Sequence, residues 1–590
     1  MYGEKSEKNI IFLKGVSYMN TLVLLLICTA ILACGYTFYG RWLCKQWGVD
    51  ETNSTPTPAH TMTDGMDYVP AKAPVLMGHH FSSIAGAGPI TGPIAASIFG
   101  WVPVALWVLI GGIFFGGVHD FGALVASIRH KGQSIGEIID VNMSRRAKVL
   151  FTVFTYLTII LVVAAFGAIV ASTFGAVVKD GVVDVAASST QASVAMVSLL
   201  FIAVAVVFGF FVYQRHTSMA VTTVFGIAAI IFCLAVGMNW HPIYLSTQTW
   251  MYVVGVYIAI ASVTPVWILL QPRDYLSSFL LYAMLFIAFI GVVGAHPDIN
   301  PELFPAFTGF AVETKNGMQY LFPILFTTVA CGAISGFHSL VSSGTTSKQL
   351  DKESDARPIA YGSMLLECVL AILTICAIAY ARETGHTKGV TDIFAGGIAS
   401  MAATIPGLSG IEHILYTLLV LTYSAFCLTS LDTATRVGRF MFQELWLEPG
   451  QTVDDIKDGW KKILVNPYVA TLITVVLGIA LGMNGFQKIW GIFGAANQLL
   501  AGLGLLAICT WLGNAGKNNK MFLLPMAFMT VVTISSLLII VKNQLNVIAA
   551  GGADWGPYAQ VIIGGLLTIL AVILVIEGIS TLRKPKKVTA

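Results

Sequence analysis

Residues 78–93 read GHHFSSIAGAGPITGP and gather side chains suited to two kinds of chemistry. Histidine as a residue type titrates near neutral pH, which makes His79 and His80 candidates to carry a proton. Ser82, Ser83 and Thr91 offer hydroxyls, while Gly86, Gly88 and Gly92 loosen the backbone between them. Pro89 and Pro93 lack an N–H and suit the start of a new helix. A helix interrupted here exposes backbone donors and the positive end of its dipole, a setting that favours an anion such as a carboxylate.

A second stretch of the same kind, CGAISGFHSLVSSGTTSKQL, occupies 331–350. Laying FSSIAGAG (81–88) over FHSLVSSG (337–344) aligns Phe, Ser, a branched aliphatic and Gly. Both stretches are expected to be discontinuous helices at matching points of two repeats, the usual place of a transporter's binding site. Ser82, Ser83, Gly86, Gly88, Thr91, Gly92, Ser335, Gly336, Ser339 and Ser342 are the substrate-binding candidates.

Other polar residues lie inside apolar runs, where a charge costs about 2.5–3.5 kcal/mol. They are His119 with Asp120, Glu367, Asp432, and Asn497 with Gln498. Carboxylates beside histidines can relay a proton, so His79, His80, His119, Asp120, His338, Glu367 and Asp432 are the candidates for ion coupling. Asp432 also reads as half of an interfacial ion pair with Arg436, one turn on. Ser, Thr and carbonyl oxygens at the breaks could equally ligate sodium.

Three other readings fall away. GAGPITG lacks the GxGxxG spacing and follows no strand, so it is no dinucleotide fingerprint. GLSG at 407–410 lies in a polar connection with no evident histidine partner for a serine nucleophile. Metal binding by His79, His80, His119 and His338 fits their type, but adjacent histidines on a helix point apart, so no metal or cofactor is expected. The nine cysteines are odd in number, form no CxxC pair and sit mostly in apolar runs, where they act as small hydrophobes.

The elements that must hold these residues are membrane spans. Of 590 residues, 56% are hydrophobic and only 11% charged, against roughly 25% charged in soluble domains. The deficit runs the whole length, which excludes a soluble enzyme with one anchor. A net charge of +3 is too small to point to nucleic acid. Runs of about 20 apolar residues fall at 20–40, 101–127, 149–176, 191–213, 218–239, 250–270, 275–295, 320–342, 358–381, 411–434, 465–484, 489–512, 521–541 and 559–580, with 78–99 as an interrupted candidate. This is an all-α polytopic membrane protein of about 14–15 transmembrane helices. The first run follows Lys5, Lys8 and Lys14, and is read as an uncleaved helix rather than a signal peptide.

Lys and Arg alternate between connections, as the positive-inside rule requires. Arg129 to Lys148, Arg215, Arg273, Lys348 to Arg357, Arg436 with Arg439, Lys517 with Lys520, and the tail from Arg583 all mark one side as cytoplasmic. The C-terminus is expected there; the side of the N-terminus stays open. Each broken stretch heads about seven spans, and an odd number inverts the second unit in the membrane. The expected organisation is an N-terminal helix and polar linker (1–77), a first repeat (78–295), a second, inverted repeat (320–580) and a basic cytoplasmic tail (581–590).

At these residues the sequence resembles the carbon starvation protein A (CstA) family of bacterial membrane transporters. The likeness runs through GHHFSSIAGAGPITGPIAA, GGVHDFGAL (116–124), QPRDYLSSFLLY (271–282), SGFHSLVSSGTTSKQL (335–350), CLTSLDTATR (427–436) and WGIFGAANQLLA (490–501). It covers most of the chain from 78 to about 512. The resemblance implies the amino acid–polyamine–organocation superfamily and a LeuT-like inverted-repeat core of five spans per repeat plus accessory helices. It also implies uptake of peptides or pyruvate during carbon starvation, coupled to protons.

The expectation is a non-enzymatic secondary transporter in the bacterial inner membrane, importing a small carboxylate by proton symport. Its partners are a carboxylate or peptide substrate, H+ or Na+, and the lipid bilayer. The alternatives are a sodium-coupled transporter of amino acids or peptides, and a membrane sensor that binds a carboxylate without moving it. A sensor needs a sizeable cytoplasmic surface, and the longest candidate, about 436–464, is short and of mixed charge.

Overall fold

The computed structural model describes residues 19–211, 218–314, 317–448, 451, 453–483, 486–551 and 555–582. Arg215, the lysines before residue 19 and the basic tail from Arg583 onward lie outside the described residues. Eleven described helices are long and apolar enough to cross a membrane, and three shorter apolar ones accompany them. In chain order they and the broken helices are α1 (Thr21–Trp47), α2 (Ala73–Ile84), α3 (Gly88–Ala96), α4 (Trp101–Arg129), α5 (Arg145–Phe174) and α6 (Ser189–Gly209). Next come α7 (Met219–Asn239), α8 (Thr247–Val263), α9 (Leu270–Ala295), α10 (Leu321–Thr328), α11 (Gly336–Gly344) and α12 (Glu353–Thr384). The last are α13 (Asp392–Ala403), α14 (Glu412–Glu444), α15 (Pro467–Gly482), α16 (Phe486–Asn514), α17 (Lys520–Ala549) and α18 (Trp555–Leu582). Two small antiparallel hairpins, 178–183 and 311–320, lie in connections.

The expected spans fall on helices, except that 320–342 is divided into α10 and the start of α11 by a break, and the chain is an all-α, multi-pass membrane protein with discontinuous helices. The addition is α13, whose twelve residues are too few to be read as a span. Helices that are apolar all round sort by what surrounds them. The most apolar stretch of α16 is wholly buried and that of α12 is 83% buried, whereas only 28% is buried in α1, α7 and α18. The inner helices α5, α12, α14 and α16 therefore enclose the polar residues, and the outer ones present their apolar sides to lipid.

The first break lies at 85–87, where Ala85 leaves helical geometry (ψ 53°). α2 begins at Ala73, ahead of the expected 78. Pro89 stands in the first turn of α3 as expected, but Pro93 lies inside that helix and not at its start. The second break lies at 329–335, with Ala330 at φ +41° and an extended Ser335 ahead of α11. FSSIAGAG thus precedes its break and runs into it, while FHSLVSSG follows its own. The residue-by-residue alignment is corrected: the two stretches correspond as breaks, not as strings. Small polar residues occur on either flank of a broken helix, so composition alone cannot tell the flanks apart.

The linker after α1 crosses one end of the bundle as a strap. Ala71 N–H donates to Gln349 O (2.9 Å) and Thr57 Oγ1 to Leu350 O (2.5 Å). His60 pairs with Asp351 (2.7 Å), and Asp67 accepts from Arg436 Nη1 (2.9 Å). Asp67 is largely buried, which alone would raise its pKa, but Arg436, Lys348 and Arg439 outweigh this and hold its carboxyl below the usual range.

Candidate functional site

Two polar clusters flank the breaks. In the first, His79 of α2 points its Nδ1–H at Asp274 Oδ2 of α9 (2.6 Å). Asp274 Oδ1 accepts from Arg273 Nε (3.0 Å) and Nη2 (2.6 Å). Arg273 Nη1 reaches Tyr257 OH of α8 (2.5 Å) and forms an ion pair with Asp432 of α14. Tyr257 OH donates to Asp432 Oδ2 (2.8 Å). Five side chains from four helices thus form one chain, with His79, Asp274 and Asp432 fully buried.

This corrects two readings. Asp432 does not pair with Arg436: the latter turns to Asp67 and to Ala261 O and Thr264 O, so the i,i+4 spacing is overridden by better partners on other helices. Arg273, counted as a cytoplasmic loop charge, is only 2% exposed at the start of α9. Arg436 and Arg439 are buried too. The charge rule counts residue type and is blind to burial. Arg273, Asp274 and Tyr257 were missed as site residues. Adjacent opposite charges opening an apolar run were the available signal for Arg273 and Asp274; nothing marked Tyr257.

In the second cluster, Asp120 of α4 accepts from His119 Nδ1 at Oδ1 (2.8 Å) and from His338 Nδ1 of α11 at Oδ2 (2.8 Å). His338 Nε2 stands 3.5 Å from Glu367 Oε2 of α12. Cys331 in the break completes a group of three metal-type ligands with His338 and Glu367. No Lys or Arg among the described residues forms an ion pair with Asp120 or Glu367. His80 turns from its neighbour, as two successive helical residues must, and meets Thr346 Oγ1 (2.8 Å).

The helix starts differ. Asn497 of α16 caps α11: its Oδ1 accepts from Phe337 N (2.9 Å), and its amide donates to Ser335 Oγ (3.0 Å). Gln498 Nε2 donates to Ile334 O (2.8 Å) and satisfies a carbonyl freed by the break. Among the described residues no side chain caps α3. Ser82 Oγ donates to Asp274 O (3.3 Å), Ser83 Oγ meets Thr433 Oγ1 (3.2 Å) and Ser430 Oγ donates to Ser83 O (2.8 Å). Ser339 Oγ donates to Gly336 O within its own helix (2.8 Å), and Ser342 is buried with its hydroxyl unpartnered. The glycines allow close approach. A Cβ at Gly86 would lie 2.9 Å from Ser430 Oγ, one at Gly88 would collide with Cys331, one at Gly92 with Val329 O, and one at Gly336 with the backbone of α16.

A polar cleft of about 510 Å³ lies between α5, α6, α14 and the connection at 389–391. Ser172 and Thr173 of α5, Thr190 and Gln191 of α6, Thr391, and Tyr423 of α14 contribute its polar lining. Tyr423 OH is hydrogen-bonded to Thr91 Oγ1 of α3 (3.2 Å), so one lining residue of the cleft touches the half-helix that follows the break.

The chain matches the model of the family described as carbon starvation protein CstA over residues 20–388 and 380–536. It is 30% identical to a peptide transporter CstA of Bacillus subtilis over 94% of this chain and 95% of that one. It is 32% identical to the peptide transporter CstA of Helicobacter pylori strain J99 (90% and 84%) and 29% identical to the pyruvate/proton symporter BtsT of Escherichia coli (84% and 78%). Among solved structures it is similar to a manganese transporter of Eremococcus coleocola (TM-score 0.48, 12% identity, 88% and 99% covered). It is also similar to MhsT bound to L-phenylalanine (TM-score 0.46, 12% identity, 86% and 99%). The chain, a multi-pass membrane transporter, therefore belongs to the carbon starvation protein CstA family.

Proposed function

We propose that this protein imports a small carboxylate nutrient, pyruvate or a short peptide, across the bacterial inner membrane by proton symport. The observation that carries this reading is the polar cleft lined by Tyr423, whose hydroxyl meets Thr91 one turn beyond the start of α3. A carboxylate descending the cleft meets hydroxyls first and then the backbone donors and dipole of α3. The start of α11 is a poorer anion site, because Asn497 already occupies the Phe337 N–H. Relatives named as peptide transporters and as a pyruvate/proton symporter support both cargo classes.

The coupling proton is assigned to His79. Protonated, the imidazole is a cation beside Asp274; neutral, it remains only a hydrogen-bond donor. Arg273 sits between Asp274 and Asp432, so the change in charge on α2 is felt on α14, the helix that also carries Tyr423. His80, His119, Asp120, His338 and Glu367 lie around the second break and are not assigned to the coupling proton.

The cleft is built from connections poor in Lys and Arg, and the strap end is rich in them. By the positive-inside rule the cleft then faces outward and the strap and C-terminus face the cytoplasm. Residues 78–295 and 320–580 are assigned as inverted repeats. Counting each broken helix once, each has five core elements, with α7 and α8 accessory to the first and the short α13 together with α17 and α18 accessory to the second. Support comes from matched bracing, α2 by the start of α9 and α11 by α16.

Uptake into proteoliposomes tests the reading. Accumulation is expected only with an inward pH gradient, and His79→Gln is expected to abolish it while sparing cargo exchange at equal pH. Equal accumulation with and without the gradient brings sodium forward, and binding without transport brings the sensor forward.

A further inference from the structure

Cys331, His338 and Glu367 come from three elements: the second break, α11 and α12. One ligand atom of each lies within 4.8 Å of the others, and all three residues are buried. The 3.5 Å between His338 Nε2 and Glu367 Oε2 is not closed as a hydrogen bond. Neither Nε2 nor either oxygen of Glu367 has a hydrogen-bond partner among the described residues. A buried carboxylate with both oxygens unbonded is costly, and a guest that bonds them removes the cost.

The neighbours indicate what the guest is. His338 Nδ1–H donates to Asp120 Oδ2, which fixes the tautomer and leaves the Nε2 lone pair facing Glu367 and Cys331. Asp120 is itself held by His119. A histidine backed by a carboxylate is the usual outer support of a metal-bound imidazole. We propose that Cys331, His338 and Glu367 form a buried binding site for a divalent d-block cation of the zinc class.

The donor set selects this class. One sulfur, one imidazole nitrogen and one carboxylate oxygen suit zinc and its neighbours, whereas magnesium and calcium ask for shells of oxygen. Tetrahedral zinc holds such atoms roughly 3.3–3.8 Å apart, so the 4.8 Å cluster closes by about an ångström at its widest. Binding releases the Cys331 thiol proton to solvent and sets two positive charges against one thiolate and one carboxylate. Three protein ligands leave a fourth position for water. The cation would tie the second break to α12, and this holds whatever the cargo and wherever the coupling proton sits.

The test uses the full chain, purified from cells grown with added zinc. Elemental analysis should give one zinc per chain, and zinc-edge X-ray absorption should show one sulfur and one imidazole in the first shell. Cobalt-loaded protein should show a thiolate-to-cobalt absorption band that Cys331→Ser removes. Glu367→Gln should lower the metal content, and Asp120→Asn should weaken binding about 10–100-fold. No stoichiometric metal in the parent protein, or a first shell without sulfur, overturns the proposal; so does unchanged metal content in Cys331→Ser and Glu367→Gln. The absorption measurements on the parent decide the matter even if a variant fails to fold.

Discussion

Around the first break, Asp274 and Asp432 share one guanidinium, and an imidazole adds to them. Around the second, Asp120 and Glu367 face two imidazoles, and no guanidinium or ammonium joins them among the described residues. Both clusters are buried and both contain two carboxylates, yet only the first carries a permanent counter-charge. A cluster with a fixed cation is nearly balanced before any ion arrives, and one proton on His79 completes the balance. A cluster without one depends on mobile charge, as protons or as a metal. Burial makes that difference expensive, because an unpaired buried charge costs several kcal/mol.

The most severe way to break the comparison is to remove the fixed cation. Arg273→Met leaves Asp274 and Asp432 buried without it and should cost about 3–5 kcal/mol, read as lost stability in chemical unfolding of the detergent-solubilised protein. Unchanged stability would mean the first cluster is no more balanced than the second. Next comes the cap that distinguishes the two helix starts. Asn497→Ala strips the Phe337 N–H and Ser335 of a buried partner and should cost about 1–3 kcal/mol. Ala87→Ser, at the uncapped start of α3, should change stability far less.

The strap supplies a reference in contact with water. The folded-state pKa of Asp67 is depressed, so its pairing with Arg436 stabilises fully above the ordinary carboxylate value, about 3.9, and fades as pH falls through the lower folded value. Melting curves of Asp67→Asn should therefore lie below those of the parent at neutral pH and converge with them in acid. The opposite sign is expected at Glu367. In metal-stripped protein Glu367→Gln removes a buried charge that has no fixed partner, so stability should rise rather than fall. A loss as large as that of Arg273→Met would reveal a counter-charge not yet recognised.

Much of the frame was legible because spanning helices announce themselves by length and apolarity. Gly86, Gly88 and Pro89 marked the first break, since few other residues tolerate one. Asp120, His338 and Glu367 were visible singly as polar residues in apolar runs. Their meeting was not, because Asp120 and His338 are 218 positions apart and only tertiary packing joins them. Arg273 misled because a basic residue beside an apolar run looks the same whether it faces water or a buried acid. α13 escaped because its apolar run is short and it packs against protein.

The second break packs against α3, the half-helix that follows the first. Gly88 lies against Cys331 and Gly92 against the carbonyl of Val329, each so close that no side-chain atom fits between. With contacts this tight, a tilt of α3 would press on the segment that carries Cys331, and a shift of that segment would press on α3. Transport and ion binding, if seated at opposite breaks, would then share a single mechanical degree of freedom, and a methyl group at position 88 or 92 would jam it.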